Sequence, residues 1–256
     1  MSLLAEGRSS LIGYLPAGFP TVEGSKALLN AMVDGGCDLV EVGVPYSDPV
    51  MDGPTIQAAA DQALANGFRL RHVFEVVEAI SAAGGKAVVM SYWNPIYHYG
   101  VDKFSRDLAA AGGLGIITPD LVPDEAQEWM AASQAHGLDR IFLVAPSSTE
   151  ERIATTAAAS SGFLYATSVM GVTGAREVTS SLAPELVARV RTHTDLPVGV
   201  GLGVKSGAQA AELAGFADAV IVGSAFVTRS AEGESGVAAL AKELAEGVRN
   251  PAVPAL

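Results

Sequence analysis

Short runs rich in β-branched residues alternate with Ala- and Glu-rich stretches of helical periodicity along this chain. The β-like runs fall near Leu11–Leu15, Leu39–Val44, Ala87–Tyr92, Leu114–Thr118, Arg140–Ala145, Phe163–Thr167, Pro197–Gly201 and Ala219–Gly223. Helical stretches such as Pro123–His136, Thr149–Ser160, Ala183–Thr192 and Ser206–Leu213 lie between them. Thr149, ahead of Glu150 and Glu151, and Ser206 are N-cap residues by type. Eight such units form either an open doubly wound sheet or a closed barrel. The chain has 256 residues, close to the roughly 250 typical of a barrel, and carries no dinucleotide fingerprint after a strand. No Ser/Pro-rich linker divides it. The expectation is α/β, a single (β/α)8 TIM barrel domain spanning residues 1–256.

Charge and cysteine content narrow the partners. A formal net charge of −12 disfavours nucleic acid and anionic membranes, although a few oriented backbone amides bind phosphate even in an acidic protein. Cys37 is the only cysteine, which fits a reducing compartment. The histidines His72, His98, His136 and His193 lie far apart without ligand spacing, so no metal site is expected. No apolar run approaches the roughly 20 residues of a membrane span, and the opening residues do not resemble a secretory signal. A soluble, cytoplasmic protein is expected.

The segment Leu39-Val-Glu-Val-Gly-Val44 carries the sharpest chemical signal. Side chains alternate along a strand, so Val40, Val42 and Val44 share one face and Leu39, Glu41 and Gly43 the other. The valines suit the face under the helices, which points Glu41 into the barrel near the strand's C-terminal end. Burying a carboxylate is costly unless it is paired, solvated or protonated. Catalytic groups of such barrels sit at that rim. The structural alternative is an ion pair with a Lys or Arg across the barrel, but few basic residues occupy the other strand ends.

The loop Pro45-Tyr-Ser-Asp-Pro-Val-Met-Asp-Gly-Pro54 adds Asp48 and Asp52 between prolines, which limit its freedom. Two carboxylates in different environments can divide acid and base work, but either Asp is also an ordinary turn residue, and spacing does not separate them. Glycines follow the last three predicted strands, in Met170-Gly-Val-Thr-Gly174, Val200-Gly-Leu-Gly-Val204 and Val222-Gly-Ser-Ala225. Such loops lead backbone N–H groups to a phosphate, and Ser224 adds a hydroxyl. A phosphorylated small substrate and proton-transfer chemistry follow, which leaves a lyase, isomerase or aldolase. A Schiff-base aldolase fits poorly, because Lys86 precedes its strand and Lys205 belongs to the presumed phosphate loop. The His and Asp ligands that a metal-dependent epimerase needs are missing at strand ends.

The run Leu39-Val-Glu-Val-Gly-Val-Pro-Tyr-Ser-Asp-Pro-Val-Met-Asp-Gly-Pro-Thr-Ile-Gln57 resembles the signature of the tryptophan synthase α-subunit family. So do Gly13-Tyr-Leu-Pro-Ala-Gly-Phe-Pro20, Met90-Ser-Tyr-Trp-Asn-Pro95, Thr118-Pro-Asp-Leu121, Gly171-Val-Thr-Gly-Ala175 and Val222-Gly-Ser-Ala225, in the family's order and spacing. The resemblance implies retro-aldol cleavage of indole-3-glycerol phosphate to indole and glyceraldehyde 3-phosphate. Glu41 would be the general acid–base and Asp52 the second acid, on the indole NH. Thr173 would orient Asp52, and Tyr14, Met90, Tyr92 and Tyr165 would line the substrate pocket, with core packing the alternative for the last four. Gly174, Gly203, Gly223 and Ser224 match the phosphate binders. The family needs no cofactor in this chain; its pyridoxal phosphate sits in a β subunit that receives the indole, in an α2β2 heterotetramer. Pro45, Asp48, Asn94, Pro95 and Ile96 would meet that partner.

Departures concern coupling rather than chemistry. Met51 stands where the family carries a small residue, Lys205 replaces another, Val169 stands where many members have arginine, and the N-terminus leaves little room for a leading helix. Two alternatives share these residues: a stand-alone indole-3-glycerol phosphate lyase, and a noncatalytic barrel that activates a partner. Intact Glu41 and Asp52 argue against the second.

Overall fold

The computed structural model describes residues 3–167, 182–201 and 203–252. Nine strand segments appear among them: β1 (Ser10–Pro16), β2 (Leu39–Gly43), β3 (Ala87–Met90), β4 (Gly115–Ile117), β5 (Asp139–Ile141), β6 (Leu143–Val144), β7 (Leu164–Thr167), β8 (Val198–Gly201) and β9 (Ala219–Val222). All pair in parallel, in the order β5-β4-β3-β2-β1-β9-β8-β7-β6. The two ends of that order, β5 and β6, are separated in the chain by Phe142 alone. They are two halves of the expected Arg140–Ala145 strand, so the sheet closes on itself as a TIM barrel.

The helices follow the strands. They are α1 (Val22–Gly35), α2 (Pro54–Ala65), α3 (His72–Ala82), α4 (Trp93–Tyr99), α5 (Val101–Ala110), α6 (Gln127–His136), α7 (Glu150–Ala159), α8 (Leu182–Arg191), α9 (Gly207–Ala214), α10 (Ser224–Arg229) and α11 (Gly233–Arg249). Thr149 and Ser206 cap α7 and α9, accepting from Arg152 N–H and Gln209 N–H, as their types imply. The expected Pro123–His136 helix opens instead with a 3₁₀ turn at Pro123–Glu125. The expected Ala87–Tyr92 strand stops at Met90, because Tyr92 is already the N-cap of α4.

Strand alternation divides the core in two. Val40, Val42, Val89, Ile116, Phe142, Val144, Leu164, Val198, Val200 and Val220 pack outward under the helices. Ile12, Leu39, Val88, Ile117, Ile141, Phe163, Ala219 and Ile221 fill the barrel interior together with Leu3 and Leu4. Residues 3–9 form no helix. Instead Leu3 and Leu4 are buried against the barrel floor, and Lys86 Nζ donates to the carbonyl of Leu3 at 3.3 Å. Lys86 therefore lies at the end of the barrel opposite the strand carboxyl termini, out of reach of a Schiff-base role there.

Candidate active site

Glu41 is the middle residue of β2, beside Tyr14 on β1 and Val88 on β3. It is 1 % exposed, and its Oε1 has no hydrogen-bond partner. Among the described residues no Lys or Arg pairs with it. The cross-barrel ion pair left open by the sequence is absent there. Burial alone pushes the Glu41 carboxyl up to about 8, so it holds a proton at neutral pH. A protonated acid buried in the barrel, with an oxygen left free, is poised to donate.

The β2–α2 loop delivers the second acid. Its start is pinned where Val44 N–H donates to the Met90 carbonyl at 2.9 Å. Its far part is pinned by Tyr92, whose Oη accepts from Met51 N–H at 3.0 Å and hydrogen-bonds the Asp52 carboxyl. The Asp52 carbonyl accepts from Gln57 Nε2 at 2.7 Å in the first turn of α2, and the Tyr46 ring packs on Tyr92 at 5.4 Å. Burial raises the Asp52 carboxyl, while the Tyr92 hydroxyl opposes the rise. Asp48, by contrast, is exposed and accepts from its neighbour Ser47 Oγ at 2.6 Å. The two loop acids are thus sorted by a tyrosine at the N-cap of α4, beyond β3. Met51, the family departure, contributes its backbone amide.

Two tyrosines complete the inner wall, each resting over a glycine of the next strand. A Cβ on Gly43 would lie 2.3 Å from Tyr14 Oη, and one on Gly201 would lie 2.5 Å from Tyr165 Oη. These glycines leave the room the rings occupy. The sequence places Gly43 on the face of Glu41 and Gly201 in a glycine-rich run after a strand, but that each lies beside an inward tyrosine of a neighbouring strand is visible only once register is known. Burial, and then the negative charges of Asp52 and Glu41, raise the Tyr14 hydroxyl well above its usual range. Burial followed by Glu41 and Asp52 does the same to Tyr165. Each hydroxyl therefore feels both acids. Met90 ends β3 on the inner face, partly buried.

Across the mouth, Gly223 follows β9 as N-cap of α10, whose first turn has no side-chain cap. A Cβ on Gly223 would sit 3.3 Å from Tyr14 Cδ1, so the Tyr14 ring spans from the acids to this helix start. Gly203 adopts a left-handed φ of +61° after β8, and Ser224 opens α10. Lys205 is exposed, its N–H donating to Gln209 Oε1 at 2.8 Å. Gly174, Thr173 and Val169 lie outside the described residues. No group of three His, Cys, Asp or Glu capable of holding a metal occurs among the described residues.

The rim residues expected to meet a partner divide. Asp48 and Asn94 are exposed, with Asn94 Nδ2 donating to Tyr46 Oη at 3.1 Å, and Pro95 is half-buried. Pro45 and Ile96 are buried within the chain. Ile96 faces inward because α4 turns its apolar side onto the barrel; the exposed apolar groups are instead Val50 on the β2–α2 loop and Tyr97 on α4, at 72 % and 60 %.

Known proteins place this geometry. The family model described as tryptophan synthase alpha chain matches residues 1–252. The tryptophan synthase alpha chain of Nocardia farcinica is 68 % identical over 249 residues, covering 97 % of this chain and 94 % of that one. That of Mycobacterium tuberculosis is 64 % identical over 248 residues, covering 97 % and 92 %. A solved structure of Mycobacterium tuberculosis tryptophan synthase superposes with a TM-score of 0.92 at 65 % identity, covering 94 % and 93 % of the two chains. One of the Pyrococcus furiosus tryptophan synthase a2b2 complex superposes at 0.85 and 36 %, covering 93 % and 97 %. From its sequence and from the barrel it builds, this chain belongs to the tryptophan synthase alpha chain family.

Proposed function

We propose that this chain cleaves indole-3-glycerol phosphate to indole and glyceraldehyde 3-phosphate, and hands the indole to a tryptophan synthase β subunit. The observation that carries the reading is Glu41: a carboxyl buried on β2, raised to hold its proton and with one oxygen free, followed in the next loop by an Asp52 beside Tyr92. Glu41 gives its proton to C3 of the indole ring, which makes the ring an electron acceptor. Asp52 accepts the hydrogen of the indole NH and stabilises the cation that forms. The bond between C3 and the glycerol carbon then breaks, its electron pair returning to the ring as indole regains aromaticity. Glu41, now a carboxylate, takes the proton from the neighbouring glycerol hydroxyl, which becomes the aldehyde. The proton count closes on one residue.

Tyr14, Met90, Tyr92 and Tyr165 wall the pocket in this reading, and Thr173 orients Asp52. The phosphate is held by Gly223 and Ser224 at the uncapped first turn of α10, with Gly203 and Gly174 as further binders. The β subunit docks on the rim where Asp48, Val50, Asn94, Pro95 and Tyr97 stand, in an α2β2 assembly. Pyridoxal phosphate belongs to that subunit. The reaction is proposed to run in the cytoplasm; no described helix is long and apolar enough to cross a membrane.

The test is indole release from indole-3-glycerol phosphate by the purified chain, with and without a β subunit. Slow release that rises sharply with the partner is expected. Fast release alone would point to a stand-alone lyase, and none in either case would sink the catalytic assignment.

A further inference from the structure

Asp120 lies between β4 and the 3₁₀ turn at Pro123–Glu125, and its exposed carboxyl does work at a distance in the chain. Its Oδ1 accepts from Trp93 N–H at 2.8 Å. Trp93 begins α4, and the N-cap residue of that helix, Tyr92, offers it no side-chain cap. Helix starts normally receive such an acceptor from a Ser, Thr, Asn or Asp at the N-cap itself. Here the N-cap position is taken by a tyrosine whose hydroxyl is committed elsewhere, and the acceptor comes from another loop.

What Asp120 fixes bears on the acids. Tyr92 leaves the backbone one residue before the capped amide, in an extended conformation with φ −60° and ψ 153°. Its Oη accepts from Met51 N–H and hydrogen-bonds the Asp52 carboxyl. The strand ends beneath are tied as well, since Ser91 N–H donates to the Ile117 carbonyl at 3.1 Å. A continuous set of contacts therefore runs from Asp120 through the Trp93 amide and the Tyr92 ring to Asp52. Asp120 itself touches neither acid.

We propose that Asp120 is a positioning residue for Asp52: by capping α4 from the neighbouring loop it fixes the Tyr92 hydroxyl, and with it the second acid of the reaction. The proposal rests on the reading of Asp52 as catalytic. An error of about 1 Å in such a group costs up to about 100-fold in rate, so a single cap at this place acts on turnover more than on stability.

The experiment compares indole release by Asp120→Ala, Asp120→Asn, Tyr92→Phe, the Asp120→Ala/Tyr92→Phe double variant and Asp52→Asn, each with its melting temperature. Asp120→Ala is expected to lower kcat about tenfold with little change in KM. Asp120→Asn keeps about half the wild-type rate or more, because asparagine caps as well as aspartate. The double variant is expected to be no slower than Tyr92→Phe alone, since both changes break one set of contacts. A purely structural cap would instead lower the melting temperature and leave the two effects multiplicative. Wild-type kcat for Asp120→Ala well below its melting point, or losses that multiply, would overturn the proposal. Wild-type activity in Asp52→Asn would remove the reading beneath it, a result distinct from either.

Discussion

Glu41 holds a proton because nothing around it compensates a charge, and this has two consequences that can be measured apart. Its carboxyl is raised from 4.5 to about 8 by burial. In the proposed reaction the proton donor is the form present below about pH 8, so indole release should fall as pH rises through that value, and Glu41→Gln is expected to lose turnover altogether. The same shift affects stability with a fixed sign. The folded chain binds the proton more tightly than the unfolded one, so the group's contribution is fully favourable below 4.5. It is lost progressively as pH rises to about 8, at about 1.4 kcal/mol per pH unit. Glu41→Gln removes the titration while keeping the shape. Denaturant unfolding should find that variant more stable than wild type above neutral pH, with the difference shrinking towards pH 4.5. A difference independent of pH would mean that Glu41 is ionised in the fold.

How far such residues could be read from the sequence depends on what fixes them. Glu41 was legible because strand alternation alone turns it inward against three valines. Asp48 and Asp52 were not separable, since the group that distinguishes them, Tyr92, comes from the start of α4, distant in the chain. Gly43 and Gly201 escaped for the same reason: their task is to make room for tyrosines on neighbouring strands.

At the scale of elements, local signals worked where local chemistry decides. Thr149 and Ser206 cap the helices they precede. The signals failed where tertiary contacts decide: α4 starts at Trp93 with its acceptor supplied by Asp120, and a β-like run containing Tyr92 reads as strand to its end. The helices also carry a packing constraint that periodicity does not reveal. Gly247 on α11 faces Gly207 at the start of α9, where a Cβ would come within 2.1 Å of the Gly207 carbonyl oxygen. Alanine is the better helix former by about 1 kcal/mol, but the obstacle is backbone, and overpacking of this kind costs about 1–3 kcal/mol. Gly207 N–H is also held by Glu243 Oε1 at 2.8 Å, which limits retreat. The clash wins: Gly247→Ala should lower the melting temperature with kcat unchanged at 25 °C. A higher melting temperature would show that α9 and α11 can part without loss.

At the scale of the molecule, the barrel separates chemistry from closure along its axis. The acids, the tyrosines and the glycine-rich loops share the carboxyl end of the strands, while Leu3 and Leu4 close the opposite end over Ile12, Leu39, Val88, Ile117 and Phe163. Two side chains, Leu3 and Leu4, thus cover that end, held in part by Lys86 on the Leu3 carbonyl. Removing those side chains uncovers the floor, yet leaves the inward layer of Ile12, Leu39 and Val88 between water and Glu41. Leu3→Ala/Leu4→Ala should therefore cost about 2–5 kcal/mol in denaturant unfolding, in the range of core leucine truncations. Its alkaline limb of indole release should stay near pH 8, because the burial that raises Glu41 is set by the layer that remains. A limb displaced towards the ordinary carboxylate range would mean that water reaches Glu41 from below, and that the floor is part of the catalytic apparatus.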